Sequence, residues 1–226
     1  MTLANCELER FGERFDGGYL MCGNLLGEAR AAYSYGISGY DGWGCDIAAR
    51  TSSTTHQYDC FNVQQPACPK GRTIFHPLCI AGEATVDGQG RIFQSLERQL
   101  ADNKDDGNRV VMKMDVEGAE WESLLRTPDH VLERIDQLAI ELHGLDEPHY
   151  LEVVRKLKHV FHVVHVHANN YTCSEKAAPF PGWVNEVLFV NKNVGRVAEG
   201  APTPQLPHPL DSPNIPLRPN CAPRWR

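Results

Sequence analysis

The chain has 226 residues, 42% hydrophobic and 23% charged, with a formal net charge of -7. That composition suits one α/β domain with a sizeable core. The acidic balance and the lack of a Lys/Arg cluster argue against nucleic acid as a partner, and no stretch approaches the roughly 20 apolar residues of a membrane span.

In chain order, residues 1–30 read as an N-terminal extension with a turn at Gly17-Gly18. No apolar leader segment is visible there, which favours a cytoplasmic setting and leaves a secretory lumen open. "AAYSYGI" reads as a strand, followed by the Gly-rich "SGYDGWG" and a helix around "CDIAART". "THQYDCF" and "RTIFHPLCIA" read as the second and third strands. "IFQSLERQLADN" reads as a helix with Ile92, Leu96 and Leu100 on one face. "RVVMKMDV" is the fourth strand, "AEWESLLRT" a helix, "QLAIELHG" the fifth strand and "PHYLEVVRKLKHV" a helix. "HVVHVHANN" and "VNEVLFVNK" are the last two strands. No helix separates them, so they should pair antiparallel. The alternation predicts a mostly parallel sheet covered by helices over 31–198. Residues 199–226 are proline-rich, and the spacing of Leu206, Leu210, Ile215 and Leu217 predicts docking through apolar side chains. Eight cysteines are scattered without a CxxC pair. Most are expected as thiols, with a Cys6–Cys22 bridge open in an oxidising compartment.

Ligands of a parallel sheet bind beyond the carboxyl ends of its strands. Gly36, Ser38, Gly39 and Asp41 follow the first strand, either as a ligand loop or as a tight turn. The spacing is not GxGxxG, which disfavours a dinucleotide oxidoreductase. Asp59 ends the second strand, where an acid can accept from ribose hydroxyls. "CIAG" ends the third with residues small and apolar enough to line an adenine slot. Lys113, Asp115 and Glu117 share one parity on the fourth strand, as do Glu141 and His143 on the fifth and His165, His167 and Asn169 on the sixth. Asn185 and Glu186 start the antiparallel strand at the same edge. Asp115, Glu141, His143 and His167 are therefore expected around one cleft, with Glu117, Asn169 and Glu186 on its rim. Such a set can work as a metal-free acid–base site or hold a divalent metal (Mg, Mn, Fe or Zn) through Asp115, Glu141, His143 and His167. Glu120 and Glu122 read as a solvated helix face, and Trp121 as a residue packing that helix on the sheet.

"KMDVEGAEWESLL" resembles the Lys-x-Asp-x-Glu-Gly-Ala-Glu signature of FkbM-type S-adenosylmethionine-dependent methyltransferases. "YSYGISGYDGW", "RFDGGYLMC", "IELHG", "VHVHANN" and "NEVLFVNK" resemble further blocks of its methyltransferase-like branch, so the likeness spans residues 10–192. The resemblance implies a Rossmann-like seven-stranded methyltransferase fold of order 3-2-1-4-5-7-6, with an antiparallel last strand. It implies that Gly36, Ile37, Ser38 and Gly39 hold the methionine part of S-adenosylmethionine. Asp59 and Cys60 would hold the ribose, Ile80 and Ala81 would flank the adenine, and Asp115 would sit near the methyl group. Many methyltransferases carry an acid where this chain has Ser34, and Asp41 is expected to supply that carboxylate. The expected activity is O-methylation of a hydroxyl on a small molecule or glycan, with Asp115, Glu117, Glu141, His143 and His167 as catalytic candidates. N-methylation, and a non-catalytic cofactor- or metal-binding module, stand as alternatives.

Overall fold

The computed structural model describes residues 1–145, 147–202 and 204–221, so residues 203 and 222–226 of the expected tail lie outside the described ones. Strands β1 (Leu8–Gly12) and β2 (Gly18–Cys22) come first. They are followed by β3 (Ala31–Tyr35), α1 (Gly42–Arg50), β4 (Thr54–Tyr58) and β5 (Arg72–His76). Three short strands come next, β6 (Cys79–Ile80), β7 (Thr85–Val86) and β8 (Ile92–Gln94). Then come α2 (Leu96–Asp102), β9 (Val110–Met114), α3 (Ala119–Arg126) and α4 (Asp129–Leu132). The chain continues through β10 (Ile135–His143), α5 (Leu151–Val160), β11 (Phe161–Ala168) and β12 (Val184–Asn191).

A seven-stranded sheet carries the order β5-β4-β3-β9-β10-β12-β11. Only β12 runs against its neighbours. Counted along the chain, the seven strands stand in the order 3-2-1-4-5-7-6, as expected. Successive side chains of a strand point to opposite faces, and both faces of this sheet are covered. Val110, Met112 and Met114 of β9 join Tyr33, Leu100, Leu124 and Leu157 beneath α2, α3 and α5. Val111 joins Ala32, Ala139 and Leu188 on the other face, under α1 and the β1–β2 hairpin. Burial on both faces explains why β9 reads as an unbroken apolar run apart from Lys113.

The N-terminal residues are part of this core. Phe11 and Met21 are fully buried in it. Gln137 of β10 ties the hairpin down by accepting from Cys22 N at 2.8 Å and donating to Cys22 O at 3.0 Å. Two element expectations need correction. The third strand stops at His76, because Pro77 has no N–H to continue the ladder, and Cys79–Ile80 pairs in a separate three-stranded sheet. Ile92 is 44% exposed on β8 of that sheet, and the helix begins only after Ser95, whose Oγ accepts from Arg98 N.

The cysteine expectation is also corrected. All eight pair, as Cys6–Cys22, Cys45–Cys68, Cys60–Cys79 and Cys173–Cys221. The described tail has no helix or strand, and of the residues expected to dock it Leu206 and Ile215 are half-buried, whereas Leu210 and Leu217 are 42% and 96% exposed. Polar bonds dock it as well. Buried Asn214 donates to Glu186 Oε1 at 2.7 Å and to Asp16 Oδ1 at 3.0 Å, and Asp211 meets His165 at 2.8 Å.

Candidate active site

The loop after β3 turns at Gly36, whose φ is +71°. A Cβ there would stand 1.6 Å from the Asp115 carbonyl oxygen, so only glycine lets the two strand ends approach this closely. Lys113 spans the same gap. Its buried Nζ donates to the carbonyls of Tyr35 at 3.1 Å and Gly36 at 2.9 Å and lies 3.6 Å from Asp115 Oδ2. Across the loop, Asp59 accepts from Ser38 N at 2.7 Å, Phe61 N at 2.8 Å and Asn62 N at 3.0 Å. It therefore shapes the loop first and keeps part of one oxygen for a ligand.

These residues wall a cleft of about 460 Å³ at the carboxyl ends of the parallel strands. Gly36, Ser38, Asp59, Ile80 and Asp115 line it, joined by Phe61, Phe93, Asp16 and Glu117. The Cys60–Cys79 bridge braces the wall behind Asp59. Ile37, Gly39, Asp41, Cys60 and Ala81 do not line it. The expectation for Asp41 is corrected by its partners. It caps α1 through Gly44 N at 2.8 Å and also accepts from Ser34 Oγ at 3.0 Å and Gln57 Nε2 at 2.8 Å, which leaves it little capacity for a ligand. Behind this wall the Tyr35 side chain packs in the core, where its hydroxyl is buried without a hydrogen-bond partner.

At the cleft's far end Asp115 leads into a sharp turn. Glu117 and Gly118 take φ values of +55° and +102°, and left-handed backbone at a glutamate is a strained choice that clusters at functional sites. The turn faces the end of β10. His143 Nε2 lies 3.5 Å from Glu117 Oε2, 3.8 Å from Glu141 Oε2 and 4.0 Å from Asp115 Oδ1. Tyr19 of the hairpin donates to Asp115 Oδ2 at 3.0 Å, and Asn169 donates to Glu141 Oε1 at 2.8 Å.

The electrostatics divide the buried Glu141 carboxyl from the half-buried one of Asp115. Burial works against charge on Asp115. The Lys113 ammonium, a hydrogen bond shared with Glu141, the His143 ring and the Tyr19 hydroxyl outweigh it and hold that carboxyl below its usual range. Burial raises Glu141 instead, reinforced by the charges of Asp115 and Glu186. The two acids lie close enough to titrate together, and their surroundings push Glu141 up and Asp115 down. Burial likewise keeps Tyr19 protonated, as a donor. Burial also opposes charge on His143, but the Glu120 hydrogen bond and the charges of Glu120, Asp115 and Glu117 prevail and raise its pKa.

His167 does not join this set. Its Nδ1 meets Glu186 at 3.1 Å, and Glu186 in turn binds Asn214 of the tail. Glu186 is therefore a buried anchor for the tail. The ligand atoms of Asp115, Glu117 and His143 lie within 4.8 Å of one another, the one such group of three found among the described residues. Of the four ligands expected, Asp115 and His143 are in this group, Glu141 and His167 are not, and Glu117 joins them from the expected rim. Glu120 and Tyr19 were not expected here. An acid in a helix's first turn ordinarily faces water, and no strand parity links residue 19 to residue 115.

The fold and cleft define an α/β protein with a mostly parallel seven-stranded sheet and a ligand-sized groove at its strand ends. The chain matches no protein-family model, no curated protein and no solved structure.

Proposed function

We propose that the protein is an S-adenosylmethionine-dependent methyltransferase that methylates a hydroxyl of a small molecule or glycan. One observation carries this reading: a single cleft joins nucleoside-type walls, Asp59 and Ile80, to the ionisable cluster around Asp115. The residues fit the cofactor, since Asp59 keeps accepting capacity for a ribose hydroxyl and Ile80, Phe61 and Phe93 give the wall apolar surface for a base. When bound, the cofactor supplies a methyl group on a sulfonium centre. The chain's own part is to orient the acceptor and take its proton. Asp115 would accept from a neighbouring hydroxyl of the acceptor and hold it in line, and His143 Nε2 would take the reacting hydroxyl's proton as that oxygen gains the methyl group and the sulfonium S–C bond breaks to leave S-adenosylhomocysteine. The raised pKa of Glu141 disfavours a second anion beside Asp115. The Asp115 and His143 side chains remain 21% and 18% exposed, which supports turnover over a plugged binding module.

A second reading is a divalent metal held by Asp115, Glu117 and His143, favoured by their close grouping. Carboxylate and imidazole ligands suit Mg, Mn, Fe or Zn, and such an ion would activate the acceptor hydroxyl. Four disulfides support maturation in an oxidising compartment over the cytoplasmic setting favoured by the sequence alone.

The test is S-adenosylhomocysteine release from S-adenosylmethionine across a panel of polyols, phenols, oligosaccharides and amines. The expected result is release with a hydroxylated acceptor, lost in Asp115→Asn. Release with amines alone would overturn O-methylation. A parallel arm with chelator decides the metal reading, which requires activity to vanish and return with added ion.

A further inference from the structure

We propose that Glu120 is the positioning residue of this site. It holds the His143 ring with its proton on Nδ1 and its lone pair on Nε2, turned toward Asp115.

Glu120 lies in the first turn of α3 and is fully buried. A carboxylate in that place costs several kcal/mol unless its oxygens are matched by donors. Its Oε2 accepts from Gly118 N at 2.8 Å, and its Oε1 accepts from His143 N at 2.9 Å. The same Oε1 lies 2.9 Å from His143 Nδ1. Both oxygens already receive backbone N–H groups, so the carboxyl is fixed as an acceptor and the ring nitrogen facing it must be the donor.

The neutral ring then has one tautomer, with a free pair on Nε2. That nitrogen is the one among Glu117, Glu141 and Asp115, between 3.5 and 4.0 Å from each. Backbone anchors prevent the ring from swinging away. Trp121 Nε1 donates to His143 O at 2.6 Å, and the Trp121 ring stacks on Tyr150 at 4.1 Å. The strained turn at Glu117 and Gly118 brings the start of α3 against the end of β10, where this contact becomes possible.

A helix-capping role alone would require only the two backbone bonds. The bond to the ring edge adds a function: it decides which nitrogen of His143 meets the acceptor. Carboxylate–imidazole pairs of this kind orient a ring and raise its basicity, and losing the carboxylate typically costs about 10–100-fold in activity or ligand affinity. Glu120 touches no substrate in this arrangement and acts only through His143. The catalytic half of the inference rests on the methyltransferase reading, whereas the tautomer half stands without it.

The experiment is a long-range proton–nitrogen correlation spectrum of the imidazoles, recorded where the ring is neutral. His143 is assigned by the signal that disappears in His143→Gln. The parent is expected to show the Nδ1–H tautomer at His143, and Glu120→Gln a mixture or the opposite tautomer. In the same variant kcat should fall about 10–100-fold with little change in the KM for S-adenosylmethionine. An Nε2–H tautomer in the parent overturns the proposal and needs no variant to fold. Full kcat in folded Glu120→Gln would make Glu120 a packing residue, since the amide preserves shape and removes charge. If the parent fails to bind S-adenosylhomocysteine, the methyltransferase reading falls while the tautomer result is still read.

Discussion

Asp115 and Glu141 are neighbours whose pKa values are pushed in opposite directions, and that division can be measured. Glu141 is held above its usual value of 4.5, so the native state keeps a proton that the unfolded chain releases. Where the native state binds more protons, stability falls as pH rises. Glu141 thus costs nothing below 4.5 and costs increasingly as pH climbs from there toward its raised value. Glutamine at this position reproduces the protonated carboxyl: it can still accept from Asn169 and can donate to Asp115. We expect Glu141→Gln to match the parent in acid and to exceed it in urea midpoint near neutral pH. Equal midpoints at every pH would mean that Glu141 is ionised. Asp115, Glu141 and His143 were legible because strand-end parity needs only the chain's period of two. Glu120 was not, because its burial depends on β10 ending opposite its helix. His167 shared the right parity but was claimed by Glu186 and the tail, which no local pattern announces.

The mostly parallel character of the large sheet followed from strand–helix alternation and the antiparallel β12 from the missing helix before it, whereas the strand order came only with the family resemblance. The elements that escaped were those held by long-range contacts. The hairpin β1–β2 looked like an extension because its partner, Gln137, lies 115 positions further along the chain. The tail looked apolar in its spacing, yet Asn214, Asp211 and the Cys173–Cys221 bridge attach it. That bridge spans 48 positions, and closing a loop of this length restricts the unfolded chain by about 4 kcal/mol. Removing residues 200–226 together with Cys173→Ser should therefore lower the melting temperature by roughly 10 °C. The deletion should also leave His167 and Glu186 more accessible. An unchanged melting temperature would mean that the tail contributes nothing to the fold.

At the scale of the whole molecule, four bridges tie segments that the sheet alone would leave apart. Cys45–Cys68 and Cys60–Cys79 fix the long connection beside the cleft, while Cys6–Cys22 closes the hairpin. Protein denatured without reductant should react with no thiol-alkylating agent, and reduced protein should take up label at all eight cysteines. Partial labelling before reduction would remove the bridges concerned and weaken the case for an oxidising compartment. The central claim is that the braced cleft receives a nucleoside cofactor whose reactive end meets Asp115. Calorimetric titration with S-adenosylhomocysteine tests it most directly. The account predicts one site per chain in the parent and a loss of about 1–3 kcal/mol in Asp59→Ala, which removes an acceptor and loosens its loop. No binding to the parent, or equal affinity in a folded Asp59→Ala variant, would contradict it.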